Sequence, residues 1–192
     1  PFLIQPFLSR SLVLALMPNP PALSFSEAVA DRVQSLLAPP VTSNTLNSAL
    51  RHLAKWRSEL VANTVLARSG AVVQSGPFKG MAYPVRASEG SRVARLLGAY
   101  EAVLHPVIEA IIARAPDLVI DIGSAEGYYA VGLARRLERT RILAHDADDR
   151  AQALCRSLAE ANGLAERVEV GGLFGHSDFD ICATGRAVVI CD

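Results

Sequence analysis

The stretch Pro116–Gly132, PDLVIDIGSAEGYYAVG, restricts the possible fold of this chain more than any other. Leu118, Val119 and Ile120 form a short apolar run that ends on an acid, Asp121. Gly123, Ser124, Ala125, Glu126 and Gly127 follow as a small-residue turn, and Tyr128 to Leu137 has the length and spacing of a helix. A brief apolar run bounded by turn chemistry predicts a strand buried on both faces. Strand, tight turn and helix together let a ligand lie against backbone N–H groups at a helix N-terminus. The acid narrows the ligand. In the dinucleotide fingerprint the first glycine follows the strand directly, and the acid belongs to the next strand. Here Asp121 closes the first strand itself and precedes Gly123, giving D-x-G-x-x-x-G. A carboxylate in that place suits a ligand with a cationic end and repels a pyrophosphate.

The alternation continues downstream. Arg141 to His145 reads as a second strand followed by Asp146, and Asp149 to Asn162 as a helix with Gly163 as its C-cap. Asp148 and Asp149 belong to that helix's start, where its dipole favours acids. Arg167 to Val170 is the third strand, and Ala187 to Cys191 the fourth, followed by Asp192. Strands alternating with helices predict a parallel sheet with helices on both faces, and ligands bind beyond the carboxyl ends of such strands. Asp121, Asp146 and Asp192 each end a predicted strand. Asp146 follows Asp121 at close to the ~20-residue offset from which an acid reaches ribose hydroxyls in the related dinucleotide fold. A carboxylate accepts from both hydroxyls of a cis-diol.

Upstream, three segments are expected: 1–24, disordered or read-through ahead of a true start at Met17; 25–69, a helical extension; and 70–192, the α/β domain. The extension holds a helix Ser26–Leu37 with Ser26 as N-cap, and a second helix Thr45–Ala67 that contains Trp56 as a packing residue. Gly70 to Tyr83 reads as a hairpin around Gly76-Pro77, and Ser91 to Ala115 as helical, with His105 at a break before Pro106.

Composition excludes several classes. Apolar residues make up 51% and charged residues 20%, with 19 of each sign, so no excess charge draws a polyanion and no nucleic-acid partner is indicated. Three cysteines without a C-x-x-C pair oppose a disulfide framework and point to a reducing cytoplasm. No unbroken apolar run approaches the ~20 residues of a membrane span, so no membrane partner is expected. No histidine pair or cysteine cluster suggests a metal.

The run VIDIGSAEGYYAVGLA resembles motif I of the class I, Rossmann-like S-adenosylmethionine-dependent methyltransferases, and within them is most similar to the FkbM-type branch. Gly76–Tyr83 (G-P-F-K-G-M-A-Y) and Gly98–Glu101 (G-A-Y-E) resemble segments ahead of motif I in that branch, and the likeness covers roughly Gly76 to Asp192. Ala125 departs from it, standing where many members carry a middle glycine. The resemblance implies a sheet of order 3-2-1-4-5-7-6, of which this chain would supply the 3-2-1-4 half and so be incomplete after its fourth strand. It implies S-adenosyl-L-methionine as cofactor, cradled by Gly123, Ser124, Ala125 and Gly127, with Glu126 inside the turn. Asp121 would serve the methionine end, Asp146 and Ala147 the ribose, Glu101 a further polar contact, and the turn Gly171–Phe174 the adenine. An oxygen of a small molecule or glycan is the implied acceptor.

Proximity and orientation alone can supply ~7–11 kcal/mol of a transfer barrier, so a base is needed only if the acceptor must lose a proton. Asp192 is the candidate, with His145 or His176 nearby. Two other readings stay open: a nucleotide-cofactor oxidoreductase, disfavoured by Asp121, and a non-catalytic cofactor-binding or scaffold protein. Oligomeric state is not legible.

Overall fold

The computed structural model describes residues 24–87 and 92–191. The read-through segment with Met17, and Asp192 as candidate base, lie outside the described residues. The chain divides into two compact units, Pro1–Leu53 and Ala54–Asp192.

In the first unit, α1 spans Phe25–Leu37. Ser24, not Ser26, is its N-cap: the Ser24 hydroxyl accepts from the Glu27 amide at 3.3 Å, and the Glu27 carboxylate accepts from the Ser24 amide at 2.8 Å. This reciprocal pair satisfies two orphan donors at once, which a cap at Ser26 would not. No residue of α1 is fully buried; on its expected apolar side Val29, Val33 and Leu36 are half-buried and Leu37 is exposed. The next helix, α2, spans Ser43–Ser69 and starts earlier than expected. Thr42 and Thr45 exchange side-chain and backbone hydrogen bonds there at 3.0 and 3.2 Å, replacing the usual acid with a second hydroxyl. Gly70, with φ +72°, ends it.

The second unit is built on a four-stranded parallel sheet of order β3-β2-β1-β4, with β1 Leu118–Ile122, β2 Arg141–His145, β3 Val168–Gly171 and β4 Ala187–Cys191. Successive β1 residues face opposite sides, so Val119 enters one cluster and Ile120 the other. The larger cluster gathers Val119, Ile142, Ala144 and Val168 with side chains of the helices α3 (Arg92–Leu97), α4 (His105–Arg114), α5 (Tyr128–Arg136) and α6 (Asp149–Ala161). The opposite face buries Leu118, Ile120 and Leu143, packed by Ile122 and Ala187 of the sheet and by Phe174, Ile181 and Cys182 from the segment between β3 and β4. The four α-helices thus pack one face, and a 3-10 helix covers the other. Crossovers from β1 to β2 to β3 all step the same way, and right-handed crossovers stepping one way lay their helices on one face. Only the return from β3 to β4, through the 3-10 segment His176–Thr184, reaches the other side.

The α6 terminus closes as the sequence suggests. Gly163 (φ +69°) donates to the Glu160 carbonyl and Leu164 to that of Ala159, both at 2.9 Å, with Asn162 as the formal cap. The Asn162 side chain also bonds both the N–H and the C=O of Ala82 at 2.9 Å, tying down the hairpin. That hairpin is reduced to one antiparallel bridge, Val72 with Ala82. Its Val73, Phe78, Met81 and Tyr83 are buried in the core, so it serves as a plug more than as sheet.

The helical stretch expected at Ser91–Ala115 is broken into α3, a 3-10 turn Ala102–Leu104 and α4. Its breaks fall where Gly98 (φ +72°) and Glu101 (φ +44°) take the left-handed conformation. By length and composition Arg92–Arg114, with a mean hydropathy of 1.5, would suffice to cross a membrane, although charged residues interrupt its apolar run. Here its Leu96 and Ile108 enter the larger core.

Candidate functional site

The turn after β1 is laced to the ends of β2 and β3. The Gly123 and Ser124 amides both donate to the His145 carbonyl, at 2.9 and 3.0 Å, and the Asp146 amide donates to Gly171 at 3.2 Å. Asp146 then reaches back: one carboxylate oxygen accepts from the Ala125 amide at 2.9 Å, the other from the Asp148 amide at 2.8 Å. Asp146 is half-buried and Ala147 exposed, at the C-terminal edge of the sheet. Asp148 caps α6 by accepting from Arg150 at 2.9 Å, as its position suggests.

Three turn residues are left-handed: Gly123 at φ +77°, Ala125 at +50° and Gly127 at +86°. Ala125 therefore occupies a glycine conformation with a Cβ, at a cost of about 1–2 kcal/mol. Ala125→Gly is expected to stabilise the protein by about 1 kcal/mol, read as a higher denaturant midpoint at unchanged slope. A lower midpoint would contradict that strain.

Two predicted ligand residues turn inward. Asp121 is 2% exposed, and its carboxylate accepts from the Ala130 amide at 3.1 Å. Ala130 is the third residue of α5, so Asp121 caps that helix from beneath and complements its dipole. Glu126 is fully buried, with Arg95 Nε at 2.5 Å and the Tyr83 hydroxyl donating at 2.7 Å. Glu101, half-buried, accepts from the Tyr129 hydroxyl near the start of α5. Ser124 has the opposite character: it is 5% exposed and its Oγ has no hydrogen-bond partner.

The histidines are engaged elsewhere. His145 Nδ1 lies 3.0 Å from the Gly172 carbonyl, and its ring meets Phe174 edge-on with centroids 4.9 Å apart. A Cβ at Gly171 would stand 2.5 Å from that ring, which explains the glycine. His176 lies against Phe179. In the loop after β3, Leu173 is 81% exposed. Sequence reasoning missed Tyr83, Arg95 and Tyr129. One signal was present: Arg95 is the sole charge between Val93 and Leu97, in a stretch apolar enough to be buried.

A cleft of about 530 Å³ lies at the other end of the strands, lined by Arg135, Arg136, Arg139 and Arg186 among others. Arg186 spends its guanidinium on the carbonyls of Arg114 and Ala115 at the end of α4, and Arg136 pairs with Glu109. Cations there complement helix C-termini.

No family model matches the chain, and no curated protein does. Among solved structures, the chain is similar to an O-methyltransferase from Bacillus cereus in complex with SAH, at 16% identity and TM-score 0.40, over 88% of this chain and 64% of that one. It is also similar to cofactor-bound Rv0187 from MTB, at 17% identity and TM-score 0.40, over 71% and 54%. A coclaurine N-methyltransferase bound to N-methylheliamine and SAH matches at 12% identity and TM-score 0.36, over 78% and 44%. The chain thus spans less than two thirds of each of these. The strand order decides the architecture. The fold is Rossmann-like. What its turn can bind rests on the residues above.

Proposed function

We propose that the protein is an S-adenosylmethionine-dependent methyltransferase of the class I type, near its FkbM branch. The observation that carries this reading is Asp146 at the lip of the turn. Each of its oxygens holds one backbone amide and has a lone pair to spare, which is what a ribose diol requires. The partnerless Ser124 hydroxyl in the same turn fits a polar ligand, because a buried polar group left unsatisfied costs about 1–3 kcal/mol. Asp121 argues against a dinucleotide: a carboxylate already complements the N-terminus of α5, where a pyrophosphate would otherwise lie.

When bound, the cofactor would supply a methyl group already activated by its sulfonium. The chain's own part is placement. Asp146 would orient the ribose, Ser124 the neighbouring polar groups, and Asp121 would keep the start of α5 fixed under them. Glu101, held by Tyr129 near the start of α5, would offer a further carboxylate. An oxygen of a small molecule or glycan is the proposed acceptor, by similarity to the FkbM branch. The three free cysteines suit a reducing cytoplasm. The outer edge of β4 is apolar at Val188, Val189 and Ile190 and has no neighbour among the described residues.

Asp146→Ala should weaken S-adenosylhomocysteine binding by about 1–3 kcal/mol in a calorimetric titration. Asp146→Asn, which keeps one acceptor oxygen, should lose less. Affinity unchanged in both would remove the ribose role.

A further inference from the structure

We propose that Arg95 and Tyr83 are positioning residues for the ligand turn, acting through Glu126. The inference rests on the reading of that turn as a cofactor site. Glu126 sits between two left-handed residues, Ala125 and Gly127, and directly follows the amide held by Asp146. Its side chain is 0% exposed and that of Arg95 only 4%. Charges so deep demand a partner, and each is the other's ion pair. Arg95 Nε meets the carboxylate at 2.5 Å, and the Tyr83 hydroxyl donates to it at 2.7 Å. The Arg95 guanidinium lies 3.9 Å from the Tyr100 ring centroid, stacked where a flexible lysine could not follow. Burial, then the neighbouring Glu126, raises the Tyr83 phenol far above its ordinary value, so it stays protonated and a donor.

These partners all come from outside the β1–turn–α5 unit. Tyr83 belongs to the hairpin, Arg95 to α3, and Tyr100 to the turn after it. An apolar contact could hold these segments together and would tolerate several orientations of the turn. A buried carboxylate held by an ion pair and a phenol hydroxyl tolerates far fewer, and fixing one arrangement is the best-attested use of such pairs. Swinging Glu126 outward would rotate the backbone at 125–127 and draw the Ala125 amide off Asp146. The segments ahead of β1 thereby set the shape of the ligand turn without touching the ligand.

The test uses the full chain, S-adenosylhomocysteine as probe, and two variants chosen to fold. Tyr83→Phe removes one hydroxyl. Arg95→Met with Glu126→Met, made together with Tyr83→Phe so that no buried hydroxyl is orphaned, replaces the whole network by apolar groups, which often costs no stability. Titration should show affinity about threefold to tenfold lower in the first and at least about tenfold lower in the second, with near-native unfolding midpoints. Hydrogen exchange without ligand should speed up across 121–130 in both, while β2 is unchanged. A purely structural pair would move neither readout once stability is restored. Both variants binding and exchanging like wild type would overturn the proposal. If wild type fails to bind the probe while 121–130 still responds, the function falls and the positioning stands.

Discussion

Gly127→Val is expected to cost more than about 3 kcal/mol of stability, enough to depopulate many native domains. A Cβ at Gly127 would stand 2.5 Å from Cys155 Sγ, 3.2 Å from its Cβ and 3.4 Å from its Cα. Moving the sulfur would not clear the backbone of α6. The residue also sits at φ +86°, where any L side chain is strained by about 1–2 kcal/mol. Cys155 cannot escape toward water: it is fully buried, and burial pushes its thiol up to about 12, so it stays a neutral packing group. Denaturant unfolding measures the loss. Gly127→Ala combined with Cys155→Ala should recover the steric share and leave the backbone strain. A wild-type midpoint for Gly127→Val would mean that α5 and α6 do not meet as described.

Gly98→Ala should be comparably severe, again about 3 kcal/mol or more, although only one methyl group is added. That methyl would lie 1.9 Å from the Ser75 carbonyl oxygen, 2.5 Å from its carbon and 2.9 Å from the Ser75 nitrogen. Backbone cannot rotate away as a side chain can, so the hairpin and α3 must separate. Two hydrogen bonds across that seam would go with them: Gln74 amide to Leu96 carbonyl at 2.8 Å, and Ser75 hydroxyl to Leu97 carbonyl at 2.6 Å. Arg95 rides on the same helix, so ligand affinity should fall together with stability. Unfolding at the wild-type midpoint would contradict this.

The two glycines show what a sequence reveals and what it hides. Gly127 reads as a ligand-space glycine, since motif patterns associate it with a bound molecule. In the structure its missing side chain makes room for Cys155, a partner far along the chain that no local pattern names. The strands were legible because each is a short apolar run, and all four lie within a residue of their expected bounds. The uneven division of helices between the two faces was not, because crossover handedness acts on the whole sheet and not on any one segment. Asp121 and Asp146 were found as strand-end acids by the same signal. Only the backbone distinguishes them, since Asp121 lies inside β1 and faces the helix, whereas Asp146 follows β2 and faces the turn. Glu126 looked like a member of the turn's lining because its neighbours are. Its true partners, Tyr83 and Arg95, are recruited across the fold.

The central claim is that this turn takes S-adenosylmethionine and not a dinucleotide. Equilibrium titration of the full chain with S-adenosylhomocysteine and, separately, with NAD tests it most directly. One S-adenosylhomocysteine per chain, bound more weakly by Asp146→Ala, with no heat from NAD, is the predicted result. Binding of NAD in preference, or of neither ligand, would contradict it.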